Sequence, residues 1–178
     1  VLLDAIHQLQ QTNPEYKIDL YFEPIISDNE TEITGHPPID AITIKANEYL
    51  LKSAFINLME NGCKFSDDHR CKVSIGLSEH ETAIAVHNTH NKSDDENKKP
   101  FVVVTIRDQG IGISESDMEN IFTPFFRGKN KNYAEGNGIG LSLSQKIIQL
   151  HQGKMHIASQ LHKGTVITLK FPCSPVAD

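Results

Sequence analysis

Apolar residues recur at positions 2, 3, 6 and 9 of the opening VLLDAIHQLQQ, the spacing of a short amphipathic helix. Thr12-Asn13-Pro14 breaks it, and KIDLYFE (17–23) alternates like a strand. Residues 24–40 are polar, contain Pro24, Pro37 and Pro38, and predict a loop before a second strand, AITIK (41–45). From about Asn47 to Lys64 the apolar positions return at helical spacing, with Leu51, Ala54, Phe55, Leu58 and Gly62 on one face. CKVSIGL (71–77) and TAIAVHN (82–88), two alternating runs across a short polar turn, predict a hairpin. THNKSDDENKKP (89–100) is a charged insert with nothing apolar to bury.

FVVVTIRD (101–108) is apolar on both faces, which predicts a central strand. SESDMENIF (114–122) opens on a Ser N-cap signal and predicts a short helix. GKNKNYAEGNG (128–138) has little to bury and predicts a mobile loop. GLSLSQKIIQLHQ (140–152) is a second long amphipathic helix ended by Gly153, and KMHIAS with TVITLKF forms a closing hairpin that turns near Lys163-Gly164. No internal repeat or domain boundary interrupts this order. The prediction is one mixed α/β (α+β) domain, its sheet mainly antiparallel and its helices on one face.

Composition narrows the picture. The 178 residues suffice for one domain with a sizeable core, and 38% hydrophobic with 22% charged residues is ordinary for a globular chain. A net charge of −6 argues against a nucleic-acid surface. No run approaches the ~20 apolar residues of a membrane span, and the start carries no signal-peptide pattern. Cys63, Cys71 and Cys173 form no C-x-x-C pair, which fits a reducing cytosol. Cys63, His69 and Cys71 lack paired zinc-ligand spacing, so they are read as a buried thiol, an exposed loop histidine and a strand cysteine.

Three polar boxes interrupt the apolar framework. Asn57, Asn61 and Lys64 share the helix side opposite the apolar face. Amide oxygens there could bind a hard cation and the ammonium a phosphate, although a plain solvated face would look the same. Glu60 on that side fits simple solubility. DQGIGI (108–113) follows the central strand; Asp108 could accept from an exocyclic amine, or the segment is an ordinary glycine turn. EGNGIGLSLS (135–144) puts glycines immediately before a helix, leaving free N–H groups and a positive dipole end for an anion. No strand precedes it, so a dinucleotide-binding βαβ unit is excluded. FTPFFRGK lies between, with apolar rings to anchor a loop and Arg127 to meet a phosphate.

Taken in order, N-x-x-x-N-x-x-K-F (Asn57, Asn61, Lys64, Phe65), D-x-G-x-G (Asp108, Gly110, Gly112), F-x-P-F-F-R (Phe122 to Arg127) and G-x-G-x-G-L (Gly136, Gly138, Gly140, Leu141) closely resemble the ATP-binding catalytic domain of bacterial sensor histidine kinases. Gly164-Thr165 matches a further glycine of that family, and the resemblance covers roughly residues 15 to 172. It implies a two-layer α/β sandwich of the Bergerat type, shared with type II topoisomerases, mismatch-repair ATPases and heat-shock chaperones. ATP and Mg²⁺ are the implied cofactors. Asp108 would bind the adenine amino group, and Phe65 and Gly112 would line the base pocket. Gly110, Ile113, Phe122 and Thr165 would complete the nucleotide site. Asn61, assisted by Asn57, would hold Mg²⁺, with Lys64 as phosphate partner. Residues 128–140 would form a lid, Gly136, Gly138, Gly140 and Leu141 a phosphate cradle, and Arg127 would stabilise the transferring phosphoryl group. Asn57, Asn61, Lys64 and Arg127 are thus the implied catalytic set.

Asn57 bears on the reaction class. ATPases related to this family carry glutamate there to activate water, and an amide cannot take that proton at neutral pH. Transfer to a histidine asks less of a base, because neutral imidazole is already nucleophilic. A nucleotide-sensing pseudokinase and an ATPase of the wider superfamily are the alternatives. The family's acceptor histidine sits on a separate two-helix dimerisation module, and His80-Glu81, at a hairpin turn, does not match it. The resemblance therefore implies that residues 1–12 end that module or its linker. It makes residues 13–178 a single catalytic domain within a fragment lacking the acceptor. Implied partners are ATP, the histidine-bearing module of the same parent protein and a response regulator, with no nucleic acid and no direct membrane contact. A cytoplasmic domain is expected, an inner-membrane anchor of the parent being left open.

Overall fold

The computed structural model describes residues 1–23, 42–78, 100–128 and 136–175. Leu2–Thr12 forms α1, Lys17–Phe22 β1, Ile42–Thr43 β2, Glu48–Lys64 α2, Arg70–Ser78 β3 and Phe101–Asp108 β4. Glu115–Met118 forms α3, Gly140–Leu150 α4, Lys154–Gln160 β5, Gly164–Pro172 β6 and Ser174–Pro175 β7. Five strands make one sheet in the order β1-β3-β4-β6-β5, parallel between β1 and β3 and antiparallel elsewhere, while β2 pairs with β7. The mixed, mainly antiparallel sheet read from the sequence is observed, with FVVVTIRD as its middle strand.

The two-residue period of the strands lines up one apolar row across the whole sheet. Leu20, Val73, Ile106, Ile167 and Ile157 are register partners from β1 through β5. A helical layer covers that row, α1 packing on α2 and α2 on α4. Leu51, Ala54, Phe55, Leu58 and Met59 of α2 are almost wholly buried, and Phe55 meets Phe171 of β6 edge-on with ring centroids 6.3 Å apart. Each large side chain buried so fully contributes about 1.5–3 kcal/mol. Ala5, Ile6 and Leu9 of α1 join the same core, so the helix assigned to the end of an upstream module lays its apolar face here.

Local signals fix the helix ends. Oδ1 of Asn47 caps α2 by accepting from the Leu50 N–H at 3.1 Å, and Ser114 caps α3 through Oγ, 3.3 Å from the Asp117 nitrogen. α3 is one short helix rather than the whole of 114–122. At the end of α4 it is Gln152, with φ 57°, that takes the left-handed position expected of Gly153. His151 ties α4 back to α2: its Nε2 accepts from the Asn47 N–H at 2.9 Å, which makes Nδ1 the protonated nitrogen facing the Ile147 carbonyl.

Residues 82–88, expected to pair with 71–77, lie outside the described residues, as do the loop 24–40, His80-Glu81 and positions 89–99 of the insert. Over residues 71–75 both edges of β3 are occupied, one by β1 and the other by β4. No helix among the described residues is long and apolar enough to cross a membrane.

Candidate active site

Along β4 the alternation that turns Val104 and Ile106 toward the helices delivers Asp108 to the same face at the strand end. Its Oδ1 accepts from the backbone N–H groups of Gly110 at 2.8 Å and Thr165 at 3.2 Å. Oδ2 has no hydrogen-bond partner among the described residues. Burial pushes the Asp108 carboxyl up from its ordinary value, and the two N–H bonds offset only part of that. A carboxylate oriented by its own backbone and open on one side is a ready acceptor for an amino group.

Opposite it, the polar side of α2 borders a cavity rather than lying on an open surface. Asn57, Asn61 and Lys64 are half-buried and line a cavity of about 530 Å³ bounded by α2, the end of β4 and the start of α4. Nδ2 of Asn57 donates to Oγ of Ser144 on α4 at 2.8 Å, whereas the Asn61 amide has no partner among the described residues. Glu60, read from sequence as a solubility residue, also lines the cavity and pairs with Lys64 at 3.0 Å. Both groups of that pair are about one-third exposed, so its contribution to stability is small.

The third wall is the start of α4. Among the described residues no side chain caps it, and Gly138, Ile139, Gly140 and Leu141 border the cavity there. Unpartnered first-turn N–H groups and the helix dipole make this end attractive to an anion. The FTPFFRGK segment reaches the same place. Phe125 donates its N–H to the Gly138 carbonyl at 2.8 Å, and Arg127 is an exposed residue on the cavity edge.

The structure therefore brings together Asn57, Asn61, Lys64, Phe65, Asp108, Gly112, Ile113, Arg127, Gly136, Gly138, Gly140, Leu141 and Thr165. Gly110 and Phe122 do not line the cavity: the first acts by holding Asp108, and the second packs partly buried against the core. Positions 129–135 of the expected lid lie outside the described residues. Ser53, Ser144, Ile111 and Asp117 were not singled out from sequence, yet they border the cavity. Only Glu60 left a usable signal, its spacing of four from Lys64.

A carboxylate at a strand end, a helix offering two amides and an ammonium, and an uncapped helix N-terminus converge over one face of a mixed sheet. That combination defines a nucleotide-binding α/β sandwich. Residues 46–175 match the family described as "Histidine kinase-, DNA gyrase B-, and HSP90-like ATPase", and the chain belongs to it. It is 30% identical over 169 residues to the signal transduction histidine-protein kinase ArlS of Staphylococcus aureus (strain USA300), a match covering 93% of this chain and 30% of that protein. The chain thus spans under a third of the length of the curated relatives it matches. Its fold is similar to the mycobacterial sensor histidine kinase MprB, with TM-score 0.63 and 17% identity over 98% of this chain and 93% of that one. Full-length ShkA, solved in complex with AMPPNP, gives TM-score 0.62 and 18% identity over 99% of this chain and 30% of that one.

Proposed function

We propose that this chain is the ATP-binding catalytic domain of a two-component sensor histidine kinase. In that role it binds Mg²⁺-ATP and donates the γ-phosphoryl group to a histidine on a separate dimerisation module, from which a response regulator is served. The observation that carries the reading is the convergence of Asp108, the Asn57–Asn61–Lys64 stripe and the uncapped start of α4 on one cavity.

Oδ2 of Asp108 accepts from the adenine amine, and Phe65, Gly112 and Ile113 border the base. The first-turn N–H groups of α4, with Lys64, bind phosphate oxygens. Magnesium fits the donor set: it favours oxygen ligands, keeps several waters and takes only one or two groups from protein, which Asn61 and Asn57 can provide beside Glu60. When bound, the ion neutralises charge on the phosphates. Arg127 supports the transferring group, and no side chain needs to form a covalent bond, since positioning and charge neutralisation dominate such transfer. Asn57 cannot deprotonate water, which favours an imidazole acceptor over hydrolysis. On this reading the domain works in the cytoplasm, where its nucleotide and its response regulator are found.

Calorimetric titration with AMP-PNP and Mg²⁺ tests the proposal. Binding is expected for the unsubstituted chain and loss of it in Asn61→Ala. A folded preparation that takes up no nucleotide at millimolar concentration refutes it. Steady hydrolysis that needs no histidine acceptor and stops in Asn57→Ala would replace kinase with ATPase.

A further inference from the structure

Of the two amides on the α2 stripe, Asn57 is the one that is tied down. Its Nδ2 donates to Oγ of Ser144 at 2.8 Å, and Ser144 is only 1% exposed. A β-carbon on Gly140 would run into the same amide, with Oδ1 its nearest atom. The acceptor end of Asn57 therefore lies against the start of α4, where the uncapped N–H groups are.

An asparagine amide has a donor end and an acceptor end of nearly equal shape, so an unrestrained one can present either. A hard cation accepts only the oxygen. A hydroxyl buried beside Ile147 and Ile148 loses its water, and the bond from Asn57 offsets that loss. With Nδ2 donating to that hydroxyl, Oδ1 is the end left beside Gly140 for the cavity.

We propose that Ser144 is a positioning residue, fixing the Asn57 amide so that Oδ1 faces the magnesium–nucleotide site. This rests on the nucleotide reading above and adds the residue that sets Asn57. Ser144 is helix-borne, neutral and small, which is why nothing in the motif spacing marked it.

Calorimetry with AMP-PNP, run with and without Mg²⁺, tests this in Ser144→Ala, Asn57→Ala and the double variant. Ser144→Ala is expected to weaken Mg²⁺-dependent binding about tenfold, the size of one hydrogen bond, and to leave Mg²⁺-free binding unchanged. In the Asn57→Ala background it should add no further loss. Ser144→Cys, with a weaker acceptor of similar size, should fall between and keeps the test decisive if alanine lowers the melting midpoint. Equal losses with and without Mg²⁺, an undiminished loss in the Asn57→Ala background, or no loss at all would overturn the role of Ser144. A folded unsubstituted chain that binds no nucleotide overturns the nucleotide reading, and this proposal with it, so the two failures are told apart.

Discussion

The backbone N–H of Thr165 donates to Oδ1 of Asp108 at 3.2 Å, fastening the start of β6 to the end of β4 inside the cavity. Burial raises the pKa of this carboxyl from its ordinary 3.8. Between the ordinary and the raised value the folded chain keeps a proton that the unfolded chain has lost, so this group's contribution to stability declines as pH rises through that window. Asp108→Asn removes the decline. Melting curves should show the variant gaining on the parent as pH rises above 3.8, while its AMP-PNP affinity falls at least tenfold, because an NH₂ replaces the open acceptor.

Gly164 makes that fastening possible. Its φ is 95°, and a β-carbon there would run into the Asp108 backbone. Gly164→Ala should cost roughly 1–3 kcal/mol or more in denaturant titration, from strain and collision together.

Gly140 has no positive φ, so alanine suits its backbone, yet the new methyl would displace the Asn57 amide. Gly140→Ala should change stability by less than about 1 kcal/mol while Mg²⁺-dependent nucleotide binding collapses. Melting and calorimetry on one preparation would separate the two effects.

Leu58 is fully buried on the apolar face of α2. Leu58→Ala should cost about 2–5 kcal/mol by leaving a cavity under the helix. Because Leu58 points away from the polar stripe, the surviving folded fraction should bind nucleotide within a few-fold of the parent.

Cys63 and Cys71 face each other with sulfurs 3.7 Å apart, and all three cysteines are buried. The hydrogen bond with Cys63, which favours the neutral thiol, together with burial, pushes the Cys71 thiol up, and burial does the same for Cys173. Thiol titration should label none of them in the native chain and all three in denaturant, since the thiolate is the reactive form.

Much of this was legible in the residues. The apolar period gave the two long helices and the central strand, and Asp108, Asn57, Asn61 and Lys64 were singled out because polar groups interrupted that period. Strand order was not legible. Alternation in KIDLYFE says which residues face the core and nothing about the parallel seat of β1 beside β3, a pairing that depends on packing across distant segments. Gly153 was read as a helix terminator because glycine favours left-handed backbone, but Gln152 adopts that conformation instead. Ser144 escaped for a similar reason: its importance lies in a partner 87 positions away, which periodicity within a helix cannot reveal.

The hydrogen bond from Phe125 to Gly138 has a consequence for how this domain can be varied. It joins the chain to itself on either side of residues 129–135, so those residues span a ring already closed at its neck. Lengthening such a ring raises the closure entropy only logarithmically, about 0.6 kcal/mol for each doubling. Insertions there should be thermodynamically separable from the cavity, because Asn57, Asn61 and Asp108 all lie outside the stretch that the Phe125–Gly138 bond closes.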